Sequence, residues 1–155
     1  MSYSVWRKLR RQASVEFEFL DRLIESHRSL LARPEETTPS QVEISAVGAM
    51  LHSFYNGVEN ILKRIASEVD GSVPSGEAWH QDLLELSARS TDRRPAVITE
   101  ETREVLREYL QFRHFFRNAY IFQLDWQRMA GLVSALQATL ERFRAEVMAF
   151  LAQLG

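Results

Sequence analysis

Five polar side chains lie close together in the segment FRHFFRNAYIFQLDW, residues 112–126, between several phenylalanines. They are Arg113, His114, Arg117, Asn118 and Tyr120. Two guanidinium groups on one surface suit a phosphate, because each presents rigid paired donors and does not lose its charge. A histidine beside them can move a proton near neutral pH. These residue types therefore predict a site that binds phosphate and at which a proton can be transferred.

A helix through this segment would collect the polar groups on one side. At about 100° per residue, Arg113, Arg117 and Tyr120 fall within about 60° of one another. His114 and Asn118 align with each other one step round the helix. The opposite side is apolar and is expected to face the core: Phe112, Phe115, Ala119 and Phe122. The alternative reading is that every amphipathic helix has a polar side, in which arginine is a common residue.

Apolar residues recur at three- and four-residue spacing through several long segments, which predicts helices. The first segment ends at the break RPEETTP, residues 33–39, and Ser40 with Glu43 forms a capping box for the next helix. Breaks at residues 70–76 and 90–97 enclose a short helix that is expected to begin near Ser75. Thr99 and Asp125 are predicted to cap the last two helices.

The sequence contains 155 residues, of which 45% are hydrophobic, and strand-like alternation is missing at useful length. We therefore expect one domain over residues 1–155, with an all-α fold: an antiparallel bundle of four long helices plus one short helix. A chain of this length buries roughly 70% of the surface that its unfolded form exposes, so it needs no disulfide.

The composition limits where the protein is expected in the cell and which kinds of binding site it can contain. The chain has no cysteine and a formal net charge of -2, so contact with nucleic acid requires a local basic patch. The first residues lack the apolar run of a signal peptide, and no segment has the roughly 20 apolar residues of a membrane span. We expect a soluble, cytoplasmic protein without membrane contact. No metal site is predicted, since His27 and His52 lack partners at ligand spacing, and no cofactor is expected.

Two long segments resemble one group of proteins. The first is LHSFYNGVENILKRIASEVDGSVPSGEAWHQDLL, residues 51–84, and the second is the segment of residues 112–126. Together they resemble the HEPN superfamily, particularly the HepT-like ribonuclease toxins of prokaryotic toxin–antitoxin modules, whose signature is Arg-x-x-x-x-His-x-Tyr near the end of a long helix. Arg113 and Tyr120 match that signature, His114 matches the polar residue that often follows its arginine, and Asn118 stands at the position of its histidine.

The resemblance implies a HEPN-like bundle and a metal-independent endoribonuclease. In that chemistry the RNA 2′-hydroxyl attacks the adjacent phosphate and leaves a cyclic phosphate and a 5′-hydroxyl. Carried onto this chain, Arg113 would hold the phosphate and stabilise the transition state, with Arg117 as a second phosphate contact. Family members form homodimers and are silenced by a partner with a minimal nucleotidyltransferase (MNT) fold, which can transfer AMP to the motif tyrosine. RNA, an MNT-type antitoxin and a second copy are thus the implied partners, and Tyr120 is the candidate AMPylation site.

Asn118 departs from the family pattern, because an amide does not exchange protons usefully at pH 7. His114, one turn earlier, could take over the proton transfer. Alternatively, the chain is a catalytically inactive module that binds RNA or a partner, or Asn118 was introduced to silence a toxin. Tyr55 and Glu59 share one helix face and could orient a motif side chain across the bundle, although a buried polar contact explains them equally well.

Overall fold

The computed structural model describes residues 3–32 and 37–155, and most of these are helical. In chain order the helices are α1 (Tyr3–Ser26), α2 (Arg28–Leu31), α3 (Gln41–Ile65), α4 (Trp79–Ser87), α5 (Glu100–Asn118) and α6 (Trp126–Ala152). The described ranges contain no strand, so the all-α prediction is confirmed. Part of the predicted break at 33–39 lies outside the described residues. In the described part of the chain, no helix is long and apolar enough to cross a membrane.

Local capping determines where three of the long helices begin. Ser40 Oγ accepts a hydrogen bond from the Glu43 amide at 3.2 Å, and the Glu43 carboxylate accepts one from the Ser40 amide at 2.9 Å. Thr99 and Asp125 each accept from an amide in the first turn of α5 and α6. These predicted starts are confirmed. The predicted start of α4 near Ser75 is wrong, because Gly76 has φ +104, which a right-handed helix excludes.

Helix α3 is the centre of the fold and packs against α1, α4, α5 and α6. Its apolar face is buried as its periodicity predicts, and so is most of the apolar face of α6. Helices α1 and α6 run in opposite directions, because Arg10 contacts Leu151 while Asp21 contacts Arg144. Helix α4 contacts both α3 and α5, and this three-helix junction positions the side chains considered next.

Helix α5 ends earlier than the sequence suggested. The backbone at Ala119 is extended, with φ -96 and ψ 148, and residues Ile121–Gln123 form a short 3-10 turn. The Asn118 side-chain amide donates to the His114 carbonyl at 2.8 Å, which satisfies a last-turn acceptor and helps to end the helix. The predicted alignment of Tyr120 with Arg113 on one helix face is therefore wrong.

The predicted core side of this segment is also partly wrong. Phe112 is buried, whereas Phe115 and Phe122 are exposed by 38% and 77%. Arg113 lies on the inner side of α5 instead and is only 4% exposed. An arginine can occupy that position because α3 supplies a buried carboxylate opposite it.

Candidate functional site

Arg113 occupies the junction of α3, α4 and α5. Its Nη1 group donates to Asn56 Oδ1 at 2.8 Å and to Glu59 Oε1 at 3.0 Å, and its Nη2 group donates to Glu59 Oε2 at 3.3 Å. The guanidinium carbon also lies 5.0 Å from the centre of the Tyr55 ring, within the range of a cation–π contact. Glu59 and Tyr55, which share one face of α3, thus hold the motif arginine across the helix pair.

His80, in the first turn of α4, completes this group, which we term the Arg113 cluster (Arg113, Glu59, Asn56 and His80). Its Nδ1 atom lies 2.7 Å from both Arg113 Nη2 and Glu59 Oε2. A ring nitrogen either accepts or donates, so an unprotonated Nδ1 accepts from Arg113 and a protonated Nδ1 donates to Glu59. The Trp79 ring lies against the His80 ring at 3.7 Å between centroids, which restricts the imidazole to this position.

A fifth polar side chain, His52, contacts the cluster from the preceding turn of α3. Its Nδ1 atom lies 3.3 Å from Asn56 Nδ2, and Asn56 Oδ1 is already bound by Arg113. This orientation of the amide makes Asn56 the donor and leaves the ring proton on His52 Nε2. Partial burial, together with the positive charges of Arg113 and Arg117, lowers the pKa of His52. His52 is therefore neutral at pH 7.

A groove of about 400 Å³ opens beside the Arg113 cluster, between α5 and the start of α4. We term it the cationic groove, because its described lining holds three arginines and two histidines against a single acidic residue. These are Arg107, Arg113, Arg117, His80, His114 and Glu77. Arg113, His114 and Arg117, three of the predicted site residues, thus line one cavity. A larger cavity of about 540 Å³ lies between α5 and α6 and includes none of them.

The three arginines are not equally available to a ligand. Neither Arg107 nor Arg117 has an ion pair or side-chain hydrogen bond with any residue that the structure describes, and the same holds for the His114 ring. All four Nη hydrogens of Arg113 face partners in the cluster, which leaves only its Nε–H for other contacts. Available donors for an anion are therefore concentrated on Arg107 and Arg117.

Asn118 and Tyr120 lie outside the described lining of the groove. Asn118 is exposed at the end of α5, with its amide nitrogen on the His114 carbonyl. Tyr120 is 72% exposed, and its ring stacks on that of Phe122. The structure brings Arg113, His114 and Arg117 together and separates Tyr120 from them by the turn after α5.

Sequence reasoning missed Arg107 and His52. Arg107 lies seven and ten residues before His114 and Arg117, and this spacing puts all three on one face of a helix. That signal was present in the sequence. Nothing in the sequence indicated His52, because its environment depends on Asn56 and on arginines of α5, which are more than fifty residues away. The described residues contain no cluster of His, Asp and Glu with the arrangement of a metal site.

A family model described as HepT-like protein matches residues 46–154, which is more than half of the chain. The matched range includes α4, α5 and α6 and all but the first turn of α3, so every side chain of the Arg113 cluster and of the cationic groove lies within it. No curated protein and no solved structure matches the chain.

Proposed function

Because the chain belongs to the HepT-like family of the HEPN superfamily, we propose that it is the ribonuclease of a prokaryotic toxin–antitoxin module. The proposed activity is metal-independent endonucleolytic cleavage of RNA. The observation that carries this proposal is the cationic groove, with two arginines that have no partner among the described residues beside a histidine that has none. Guanidinium groups suit phosphate oxygens because they bind them with paired, charge-assisted hydrogen bonds.

The proposed mechanism assigns roles by the availability of each side chain. Arg117 and Arg107 bind backbone phosphates, whereas Arg113, whose charge Glu59 balances, offers only its Nε–H from the groove wall. His114 accepts the proton of the RNA 2′-hydroxyl as that oxygen attacks the adjacent phosphorus. The P–O5′ bond breaks as the O2′–P bond forms, so the products are a 2′,3′-cyclic phosphate and a 5′-hydroxyl, whose oxygen takes up a proton from water as it leaves. Positive charge beside the phosphorane-like transition state lowers its energy.

The regulatory part of the proposal concerns partners. We propose a homodimer that is neutralised by an MNT-type antitoxin, which transfers AMP from ATP to the Tyr120 hydroxyl with release of pyrophosphate. The exposure of Tyr120 supports this assignment, since a modifying enzyme must reach the phenol. Mass spectrometry of Tyr120 after coexpression with the antitoxin tests it, and Tyr120→Phe is the control that must remain unmodified.

A second function, a catalytically inactive module that binds RNA or a partner, is favoured by a specific observation. Asn118 occupies the motif histidine position and uses its amide to close the end of α5, while Arg113 is held by Glu59 inside the chain. Both contacts suit a structural role for motif residues. This module would bind RNA in the cationic groove without cleaving it.

The experiment that separates the two functions is a cleavage assay on total tRNA and on a structured mRNA, with EDTA present. It compares the protein with its Arg117→Ala, His114→Ala and Asn118→His variants. Arg22→Ala, an exposed arginine on α1 far from the groove in sequence, is the matched control. For a nuclease we expect cleavage that falls about 100-fold or more in Arg117→Ala and His114→Ala. Cleavage only by Asn118→His would support the binding module and overturn the assignment of His114.

A further inference from the structure

The turn after α5 exposes two aromatic rings that stack on each other. Tyr120 and Phe122 are 72% and 77% exposed, and their ring centroids are 5.5 Å apart with only 4° between the ring planes. Large apolar groups are usually withdrawn from water, because exposing them costs free energy in proportion to their area. Two adjacent rings left in solvent therefore mark a surface that contacts a ligand or a partner.

The backbone that carries these rings is held in place. The Gln123 amide donates to the Tyr120 carbonyl at 2.9 Å, and the Tyr120 amide donates to Gln123 Oε1 at 2.7 Å. Gln41, at the start of α3, donates to the Ile121 carbonyl at 2.8 Å. Leu124 is buried directly after the turn. The ring pair is thus presented in a fixed position, which reduces the entropy lost when a planar group stacks on it.

The charges around the ring pair indicate what it contacts. Arg117, which has no partner among the described residues, lies in the last turn of α5, three residues before Tyr120. Residues 112–125 contain two arginines and a histidine but only one acidic residue, Asp125. A polyanion with planar groups fits this charge, since its phosphates pair with arginine and its bases stack on aromatic rings.

We propose that the Tyr120–Phe122 ring pair is a stacking site for an unpaired RNA base. The substrate class is then single-stranded or looped RNA, because duplex bases are already stacked on one another and present no free face. This inference rests on the proposed function of the cationic groove and deepens it. The arginines of α5 bind the strand by its phosphates, and the ring pair binds one of its bases.

The test is a binding measurement by fluorescence anisotropy with labelled 2′-O-methyl oligoadenylate. Its methylated 2′-oxygens cannot attack phosphorus, so binding is separated from cleavage. Phe122→Ala should weaken binding by about tenfold, within the roughly 5- to 150-fold range expected for loss of one base–ring stack. Phe122→Trp should retain binding, because it keeps a ring face. Phe19→Ala, an exposed aromatic residue on α1, is the matched control and should bind as the unaltered protein does.

A second ligand isolates the base from the phosphates. An abasic oligonucleotide of the same length should bind equally to the unaltered protein and to Phe122→Ala, because it has nothing to stack. Equal binding of oligoadenylate by these two proteins would overturn the stacking site while leaving the groove intact. If the unaltered protein bound neither oligonucleotide, the proposed function would fail as well. A change in sedimentation coefficient on Phe122→Ala would identify the turn as a protein–protein interface and overturn the stacking site.

Discussion

Replacing Glu59 by alanine tests whether the Arg113 cluster is held as firmly as its geometry implies. Glu59 and Arg113 are 8% and 4% exposed at their side chains. Glu59→Ala removes the carboxylate that binds both Nη groups of Arg113 and also approaches His80. The guanidinium group would then remain largely buried without a counter-charge, which is the most destabilising consequence of breaking a buried ion pair.

The loss of unfolding free energy expected for Glu59→Ala depends on how deeply Arg113 is buried and on the partners that Arg113 keeps. Removing one member of a buried ion pair costs about 3–5 kcal/mol of unfolding free energy. Arg113 keeps Asn56 Oδ1 as an acceptor at 2.8 Å in this variant, and an unprotonated His80 Nδ1, at 2.7 Å, can also accept from it. We therefore expect a loss near the lower end, about 3 kcal/mol. In a domain of this size that loss lowers the melting temperature by about 6–12 °C.

Urea unfolding followed by circular dichroism measures this loss. The matched control is Glu25→Ala, which removes a carboxylate that pairs with Arg28 at 2.6 Å. Both side chains of that pair are exposed, so its removal should change the unfolding free energy by less than about 1 kcal/mol. The double variant Glu59→Leu with Arg113→Met should be more stable than Glu59→Ala, because apolar side chains of similar size leave no buried charge.

A loss below about 1 kcal/mol in Glu59→Ala would refute this reasoning. It would mean that Arg113 turns into the cationic groove and is solvated there at little cost. In that case Arg113 would be free to bind phosphate directly, as the family resemblance implies, and Glu59 would act as a restraint on it.

Three further predictions concern packing and pH. Gly57→Ala should destabilise the fold by about 1–3 kcal/mol, because the added Cβ would lie 2.6 Å from Leu20 Cδ2 on α1; chemical denaturation measures it. Gly131→Ala on α6 should stabilise it by about 1 kcal/mol, since that Cβ meets nothing within 4 Å; a fall in stability would contradict the open surface described there. In an NMR titration His52 should have a pKa below 6.5, and Arg117→Ala should raise that pKa by removing a positive charge. Because the folded state disfavours protonated His52, its contribution to stability is lost as the pH falls below 6.5 through the folded pKa.

Much of the fold follows from signals that act over a few residues. Ser40, Thr99 and Asp125 begin their helices as expected, because a cap needs only its own side chain and the next turn. The end of α5 was not predictable in the same way. The segment contains neither Gly nor Pro, and helical periodicity continues past Asn118. Its end depends on the Asn118 amide bond to His114 and on the burial of Leu124, which requires the neighbouring helices.

The site was predictable in its residues but not in their orientation. A helical wheel ranks side chains by polarity, so it places Arg113 on the solvent side of α5. The structure buries Arg113 because Glu59 lies opposite it, on a helix more than fifty residues earlier in the chain. The shared face of Tyr55 and Glu59 on α3 indicated a polar contact across the bundle, but it did not identify Arg113 as the partner. His80 belongs to a third segment of the chain, so its place in the Arg113 cluster also cannot be predicted from local sequence patterns.

The hydrogen bonds that Arg113 makes within its cluster change how the cationic groove would bind RNA. A guanidinium group whose Nη hydrogens are taken up by Glu59, Asn56 and His80 cannot form the paired contact that makes arginine effective with phosphate. That contact is left to Arg107 and Arg117, ten residues apart and hence about 15 Å apart along α5. Arginines so spaced suit two non-adjacent phosphates of a strand lying along the helix. Affinity for the RNA backbone then depends on Arg107 and Arg117 and not on Arg113, whose charge Glu59 balances.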